Sequence, residues 1–276
     1  MSAKPRVHRY IMPNIGSQEQ RITATLYMLE MDGIIPVFKP LAQEALQKHL
    51  IYLDFLESLL DAQIAYKEDK RLESQNVQAK FPLKKTIEDY DFSKPHKIDE
   101  ARVRELASCR FIDEGENVMF LGPTGVGKTH LAVGLSKKGI DNGKKVKFYR
   151  LNHFIEKLEK NVTNELGQQR SFINSIINLD LLVLDDMEQA QIPSTIKDTL
   201  YGIIIDRIEK GRSNIFTANE SFANWGLIFG SQIRAEKISD RVHGHGYTII
   251  IEGDSQRIQD KLKKIKNKAA LKLPSA

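Results

Sequence analysis

The chain has 276 residues, of which 41% are hydrophobic and 28% charged, with one cysteine and a formal net charge of +5. That length corresponds to about two domains of ~150 residues and lets the chain bury a sizeable core without disulfides. The ordinary balance of apolar and charged residues excludes disordered, collagen-like and disulfide-rich classes.

Lys4, Arg6 and Arg9 are not followed by an apolar run, so the N-terminus lacks a signal-peptide core. No stretch approaches the ~18 apolar residues of a membrane helix. Cys109, between Ser108 and Arg110, has no partner within the chain and reads as a packing residue. These features predict a cytoplasmic protein with no membrane partner.

Residues 18–79 are rich in helix formers and poor in Gly, with Leu46, Leu50, Leu53, Leu56 and Leu60 spaced three and four apart. They predict a small helical domain over residues 1–84, with Pro36 and Pro40 separating its helices. Residues 81–95, containing Phe81-Pro82-Leu83 and Ser93-Lys94-Pro95, break that period and read as a linker laid over the next domain. From about residue 98, β-rich runs alternate with amphipathic helices. The strand candidates are Asn117–Leu121, 146–151, Leu181–Asp185, 214–217 and 247–251. The alternation predicts an α/β domain over 85–254 with a mostly parallel sheet covered by helices. Leu181-Leu182-Val183-Leu184 is apolar at every position, as in a central strand buried on both faces. Ligands of such sheets sit at the carboxyl ends of the strands, which points to Gly122, Asp185 and Asn219.

Residues 1–90 carry 12 basic and 12 acidic side chains, 91–256 carry 22 and 23, and 257–276 carry 7 and 1. The surplus therefore lies in the tail at 255–276. Ile258, Leu262, Ile265 and Ala269 keep helical spacing there among Lys261, Lys263, Lys264, Lys266 and Lys268. Two readings fit: a polyanion-binding helix, or a solvated Lys-rich one.

Gly122-Pro123-Thr124-Gly125-Val126-Gly127-Lys128-Thr129, followed by His130, has the phosphate-loop pattern between a predicted strand and a helix over about 129–139. Its backbone amides and the helix N-terminus suit an anion. Lys128 supplies a charge for the β- and γ-phosphates, and the Thr129 hydroxyl suits Mg²⁺. Asp185 and Asp186 close the apolar strand 57 residues after Lys128. Asp185 is assigned to the metal and Asp186 to the attacking water, with Glu188 a weaker candidate for the latter. Asn219, ending the following strand, suits a hydrogen bond to phosphate or water. Arg234 and Arg241, seven residues apart, share roughly one helix face, from which either could reach a neighbouring subunit's nucleotide as an arginine finger. His243 and His245 flank a Gly without a zinc-type cluster and read as a turn. Trp225 reads as packing.

In the segments 85–93, 104–108, Gly122 to Ala132, Asn224-Trp225-Gly226 through Gly230, Asp240-Arg241 and Gly253-Asp254-Ser255, the chain resembles the IstB-like ATP-binding proteins, DnaC-related members of the AAA+ superfamily. The resemblance spans about 85–257 and weakens over 18–80. It implies an AAA+ ATPase using ATP and Mg²⁺, which forms a ring or helix on double-stranded DNA, recruits or stimulates a transposase, and disassembles on hydrolysis. In that family pattern Asp185 and Asp186 match the acidic pair, Asn219 the sensor, and Arg241 the Arg of the Asp-Arg element. Two departures stand out: Met187-Glu188-Gln189 replaces the usual Gly-aromatic sequence, and Gln256-Arg257 the usual Tyr-Arg. A helicase loader would share every nucleotide residue. A small-molecule kinase would need an Arg-rich lid, yet residues 187–213 hold only Arg207 and Arg212. A non-hydrolysing DNA scaffold would turn over no ATP.

Overall fold

The structure, a computed structural model, describes residues 16–93, 97–162, 166–188, 192–219, 224–244 and 246–253. It divides into two compact units, residues 1–73 and 74–276. The tail from 254 onward, including Arg257 and the lysine run, and His245 lie outside the described residues.

In the first unit, α1 (Gln18–Met28) opens on a capping box. The Ser17 side chain accepts from the Gln20 amide, and the Gln20 side chain accepts from the Ser17 amide at 2.8 Å. Helix α2 (Phe38–Lys48) stops at His49, whose φ of 52° is left-handed, and α3 (Tyr52–Ala79) runs on through the division between the units. Pro36 precedes α2, but Pro40 sits inside its first turn, where a missing N–H breaks no helical hydrogen bond. The turn between α1 and α2 is pinned by buried Gln63, which accepts from the Gly33 amide at 2.9 Å and donates to the Glu30 carbonyl at 3.3 Å. The leucine periodicity does not become a buried stripe: Leu46 is 78% exposed and Leu53 71%. The break at residues 49–51 resets the helical phase between them.

The second unit carries α4 (Glu100–Leu106), α5 (Arg110–Asp113), β1 (Asn117–Leu121), α6 (Lys128–Asp141), β2 (Val146–Arg150), α7 (Leu151–Val162) and α8 (Leu166–Ile177). It continues with β3 (Leu181–Asp185), α9 (Ser194–Glu209), β4 (Ser213–Ala218), α10 (Trp225–Phe229), α11 (Gln232–Gly244) and β5 (Gly246–Ile250). Every expected strand forms within a residue of its expected limits. Strand order is β2-β3-β4-β1-β5, and all four pairings are parallel. The antiparallel element among the described residues is an isolated bridge between Lys97 and Glu252. Because side chains alternate across a strand, Met119, Leu182, Leu184 and Phe216 join one core with α7 to α11, while Leu181 lies near Gly139 of α6. Trp225 packs on Phe216 and Phe229 at ring distances of 5.3 and 5.7 Å, and Cys109 is buried. No helix among the described residues is long and apolar enough to cross a membrane.

Arg207 of α9 is fully buried beneath this sheet. Its guanidinium donates to the carbonyls of Ile176, Ile177 and Leu179 at 2.7, 3.1 and 2.8 Å. It also reaches the Ser213 carbonyl at 2.6 Å and Asn214 Oδ1 at 2.8 Å. Asn214 in turn donates to Asn117 Oδ1 at 2.9 Å, so one fork joins the end of α8 to β4 and β1. Burial pulls the Arg207 pKa down to about 9, the desolvation cost of a charge held by carbonyl dipoles rather than a carboxylate. Arg207→Ala leaves those carbonyls buried without a donor and is expected to cost about 3–5 kcal/mol in urea unfolding. Arg207→Lys should recover only a minor part, since one ammonium cannot replace the planar fork.

Candidate nucleotide site

The loop after β1 turns beneath the sheet's carboxyl edge because its glycines admit conformations closed to other residues. Gly122 has φ 150° and its hydrogen lies where a Cβ would stand 2.2 Å from the Ile251 carbonyl oxygen. At Gly127, φ 105°, a Cβ would meet the Tyr90 ring at 2.5 Å. Helix α6 then begins at Lys128, so its N-terminal end opens into a cleft of about 350 Å³.

Thr124, Gly125, Gly127, Lys128, Thr129 and His130 line that cleft, with Asp186 and Asn219 opposite. Gly122 and Pro123 contribute carbonyls: Lys128 Nζ donates to them at 2.6 and 3.0 Å and to Asn219 Oδ1 at 2.6 Å. Val126 is buried and is not among the residues lining the cleft. Strand β4 lies between β1 and β3, so Asn219, one residue beyond it, stands beside the loop lysine.

Asp185, at the end of β3, is fully buried. Its Oδ1 accepts from Thr129 Oγ1 at 2.8 Å and from Thr217 Oγ1 at 2.7 Å. Its Oδ2 is buried with no hydrogen-bond partner. Burial raises the Asp185 pKa, and the charge of Asp186 adds to the rise against the two threonine hydrogen bonds. A buried carboxylate oxygen without a donor, beside a loop threonine, suits a hard cation with oxygen ligands, so the residues present fit Mg²⁺. Asp186 follows with φ 57°, a left-handed turn that aspartate tolerates, and its amide donates to Thr217 Oγ1 at 2.9 Å. That turn brings the second carboxylate to the cleft although adjacent strand side chains point to opposite faces.

Several contributors were not legible in the motif. Thr217 ties both aspartates together from within β4, where a threonine among strand residues carries no signal of that role. Arg150 ends β2 in register with Asp185 and also lines the cleft. Glu188 accepts from the Asn219 backbone amide at 2.8 Å and so steadies the turn after β4. Arg234 is committed within its own chain to an ion pair with Asp198 and a stack on the Tyr201 ring at 4.9 Å. Arg241 donates to the Lys237 carbonyl of its own helix and does not line the cleft. His243 meets Thr248 Oγ1 at 2.9 Å. Among the described residues there is no group of three His, Cys, Asp or Glu placed to hold a metal.

Residues 86–92 form a strap behind the loop. Tyr90 Oη donates to the Val126 carbonyl at 3.0 Å, and its ring meets those of His130 and Phe92 at 5.3 and 4.8 Å. Burial pushes the Tyr90 hydroxyl up to about 12, so it remains a neutral donor near pH 7. Burial lowers the His130 pKa, and its Nε2 lies 2.7 Å from the Thr86 carbonyl, which requires the proton on that nitrogen.

A family model described as IstB-like ATP binding protein matches residues 24–264. The chain belongs to the IstB-like ATP-binding proteins. Among curated relatives of this IstB-like chain, the ATP-binding protein of insertion sequence IS21 from Pseudomonas aeruginosa is 35% identical over 239 residues, 86% of this chain and 89% of the relative. That of IS5376 from Geobacillus stearothermophilus is 30% identical over 243 residues, 88% and 96% respectively. A solved structure of the replication initiator DnaA, bound to AMPPCP and single-stranded DNA, aligns with TM-score 0.52 at 20% identity, covering 68% of this chain and 57% of that one. The fold is that of the AAA+ proteins, and the chain is an ATP-binding protein of the insertion-sequence type.

Two expectations for this IstB-like site follow. Asp185→Asn removes a desolvated charge while keeping an oxygen for both threonines. It should therefore raise the melting temperature of the nucleotide-free protein by about 2–4 °C, equivalent to ~1 kcal/mol, in calorimetry without Mg²⁺. Tyr90→Phe removes one hydrogen bond to the loop, and fluorescent-ATP titration should show about three- to tenfold weaker binding with the melting temperature changed by less than ~3 °C.

Proposed function

We propose that this chain is a Mg²⁺-dependent ATPase that assembles on duplex DNA in its ATP-bound form, recruits or stimulates a transposase, and disassembles as it forms ADP and phosphate. The observation carrying the hydrolytic reading is the joining of Lys128 to Asn219 and of Thr129 to Asp185 in one cleft that Asp186 also lines.

In this reading Lys128 exchanges the carbonyls of Gly122 and Pro123 for phosphate oxygens. A phosphate is the stronger partner because the hydrogen bond gains full opposite charge. Asn219, released from Lys128, donates through its amide to the transferred phosphoryl group. Asp186 accepts a proton from the attacking water, which directs the oxygen lone pair at the γ-phosphorus as the bond to ADP breaks. Thr129 and Asp185 would hold Mg²⁺, which when bound neutralises charge on the phosphate oxygens. Arg241 of a neighbouring copy is the better arginine finger, since Arg234 would first have to leave Asp198 and the Tyr201 ring.

The insertion-sequence relatives favour transposition over helicase loading. The net positive charge of residues 257–276 suits DNA phosphates, and the exposed leucines of the helical region suit a protein partner. Contacts to backbone rather than bases entail weak sequence preference and steep salt dependence.

Asp186→Asn is expected to lower ATP turnover at least 100-fold while ATP binding is retained, and to prolong residence on duplex DNA. Lys128→Ala should abolish retention of labelled ATP. Labelled-phosphate release and DNA dissociation kinetics check both. Unchanged turnover in the Asp186 variant refutes the assignment, and a phosphorylated small molecule among the products would indicate a kinase instead.

A further inference from the structure

A second cavity, of about 590 Å³, shares Arg150 with the nucleotide cleft. Lys80, His153 and Lys157 also line it, with Phe148 and Tyr149 as its aromatic wall, and no carboxylate among the described residues lines it. His153 and Lys157 follow Arg150 at intervals of three and four residues, so α7 sets them on neighbouring turns along the cavity. Lys157 is held over the Tyr149 and Phe172 rings at 5.2 and 5.8 Å and donates to Tyr149 Oη at 3.5 Å, which fixes its stem with no ion pair among the described residues. Lys80 is presented from a left-handed backbone position, φ 57°.

Lys147, on the same strand as Arg150, donates to the Gln78 carbonyl at 2.6 Å. Its pKa is lowered, first by burial and then by the charges of Lys157 and Lys80. Among the described residues Lys80, Lys147 and Lys157 make no ion pair with an acid, while Arg150 lies in register with Asp185; like charges gathered in this way cost stability unless an anion binds. The cavity beside α6, of about 640 Å³, differs in kind: Lys138 there is paired with Glu88 at 2.7 Å and Asp141 stands in the wall.

We propose that the Lys80–Arg150–His153–Lys157 cleft is a phosphodiester-binding groove that seats the backbone of one strand of duplex DNA beside the nucleotide site. The proposal rests on the DNA-binding reading above and gives it a location on the ATPase unit, separate from the lysine tail. Its set of several cationic side chains suits successive phosphates, and the absence of amide or carboxylate side chains among the described residues of its lining suits a ligand read without base specificity. Since Arg150 lines both cavities, ATP and DNA would meet at one guanidinium.

The test uses the full chain carrying Lys80→Asn and Lys157→Gln. Asparagine tolerates the left-handed backbone at 80, and Arg150 is left intact because it lines the nucleotide cleft. Fluorescence anisotropy with a labelled random-sequence duplex, in the presence of a non-hydrolysable ATP analogue, should show Kd raised at least tenfold at ~0.1 M salt. The slope of log K against log salt should become shallower by about 2, one for each lost phosphate contact. Fluorescent-ATP binding should stay within twofold, and Lys80→Arg with Lys157→Arg should restore duplex affinity. If wild type binds duplex and the Asn/Gln variant matches it in affinity and slope, the groove is refuted while the DNA reading stands. If wild type binds no duplex, the DNA reading itself fails. Equal loss of ATP and duplex binding, or loss of tripolyphosphate binding with duplex binding unchanged, also overturns the proposal.

Discussion

The site depends on one buried carboxylate. Asp185 is removed from water at the tip of a strand that is apolar on both faces, and two threonine hydroxyls satisfy only one of its oxygens. Burial alone would favour its neutral form, as the raised pKa records. The hydroxyls act against that cost, and one of them belongs to the phosphate loop. The two residues proposed to hold Mg²⁺ are therefore coupled through a hydrogen bond before any ligand arrives, and the residual imbalance on the second oxygen is what a cation would relieve. Stability is given up locally to preorganise an electrostatic site.

The rest of the second unit keeps that carboxylate where it is. Strand β4 separates β1 from β3, and its Thr217 and the following Asn219 reach Asp185 on one side and Lys128 on the other. The Tyr90 strap backs the loop from behind, where only glycine at 127 leaves room for the ring. Far from the cleft, Arg207 locks β4 to the end of α8 and, through Asn214, to β1. A network at the opposite ends of the strands thus fixes their register, and register decides which side chains meet at the carboxyl edge.

Much of this unit was legible because its signals are local. The unbroken apolar run at 181–184 required a doubly covered strand, and the glycine spacing at 122–127 required a loop whose amides converge. The helical region was less legible. Its leucine periodicity is real in sequence, but a left-handed residue at His49 divides it between two helices, and the leucines are exposed. A period of three and four reports a helix face only while the helix is continuous. Arg207 read as an ordinary basic residue, since nothing adjacent to it in sequence shows that it ends among carbonyls 28 to 31 positions away.

By itself the sequence determined the strand positions, the glycine-rich loop after β1 and the acidic strand end, each legible in residues within about a dozen positions of one another, and the family, legible in several such segments. Tertiary structure alone decided that β4 inserts beside β1, that Thr217 bridges the aspartates, that Tyr90 props the loop, and that Arg150 stands between two cavities. Those outcomes depend on strand order and on which buried groups find partners. Both are set by the closing of the sheet over contacts distant in sequence, where the cost of an unpaired buried polar atom selects among arrangements that local propensity leaves equal.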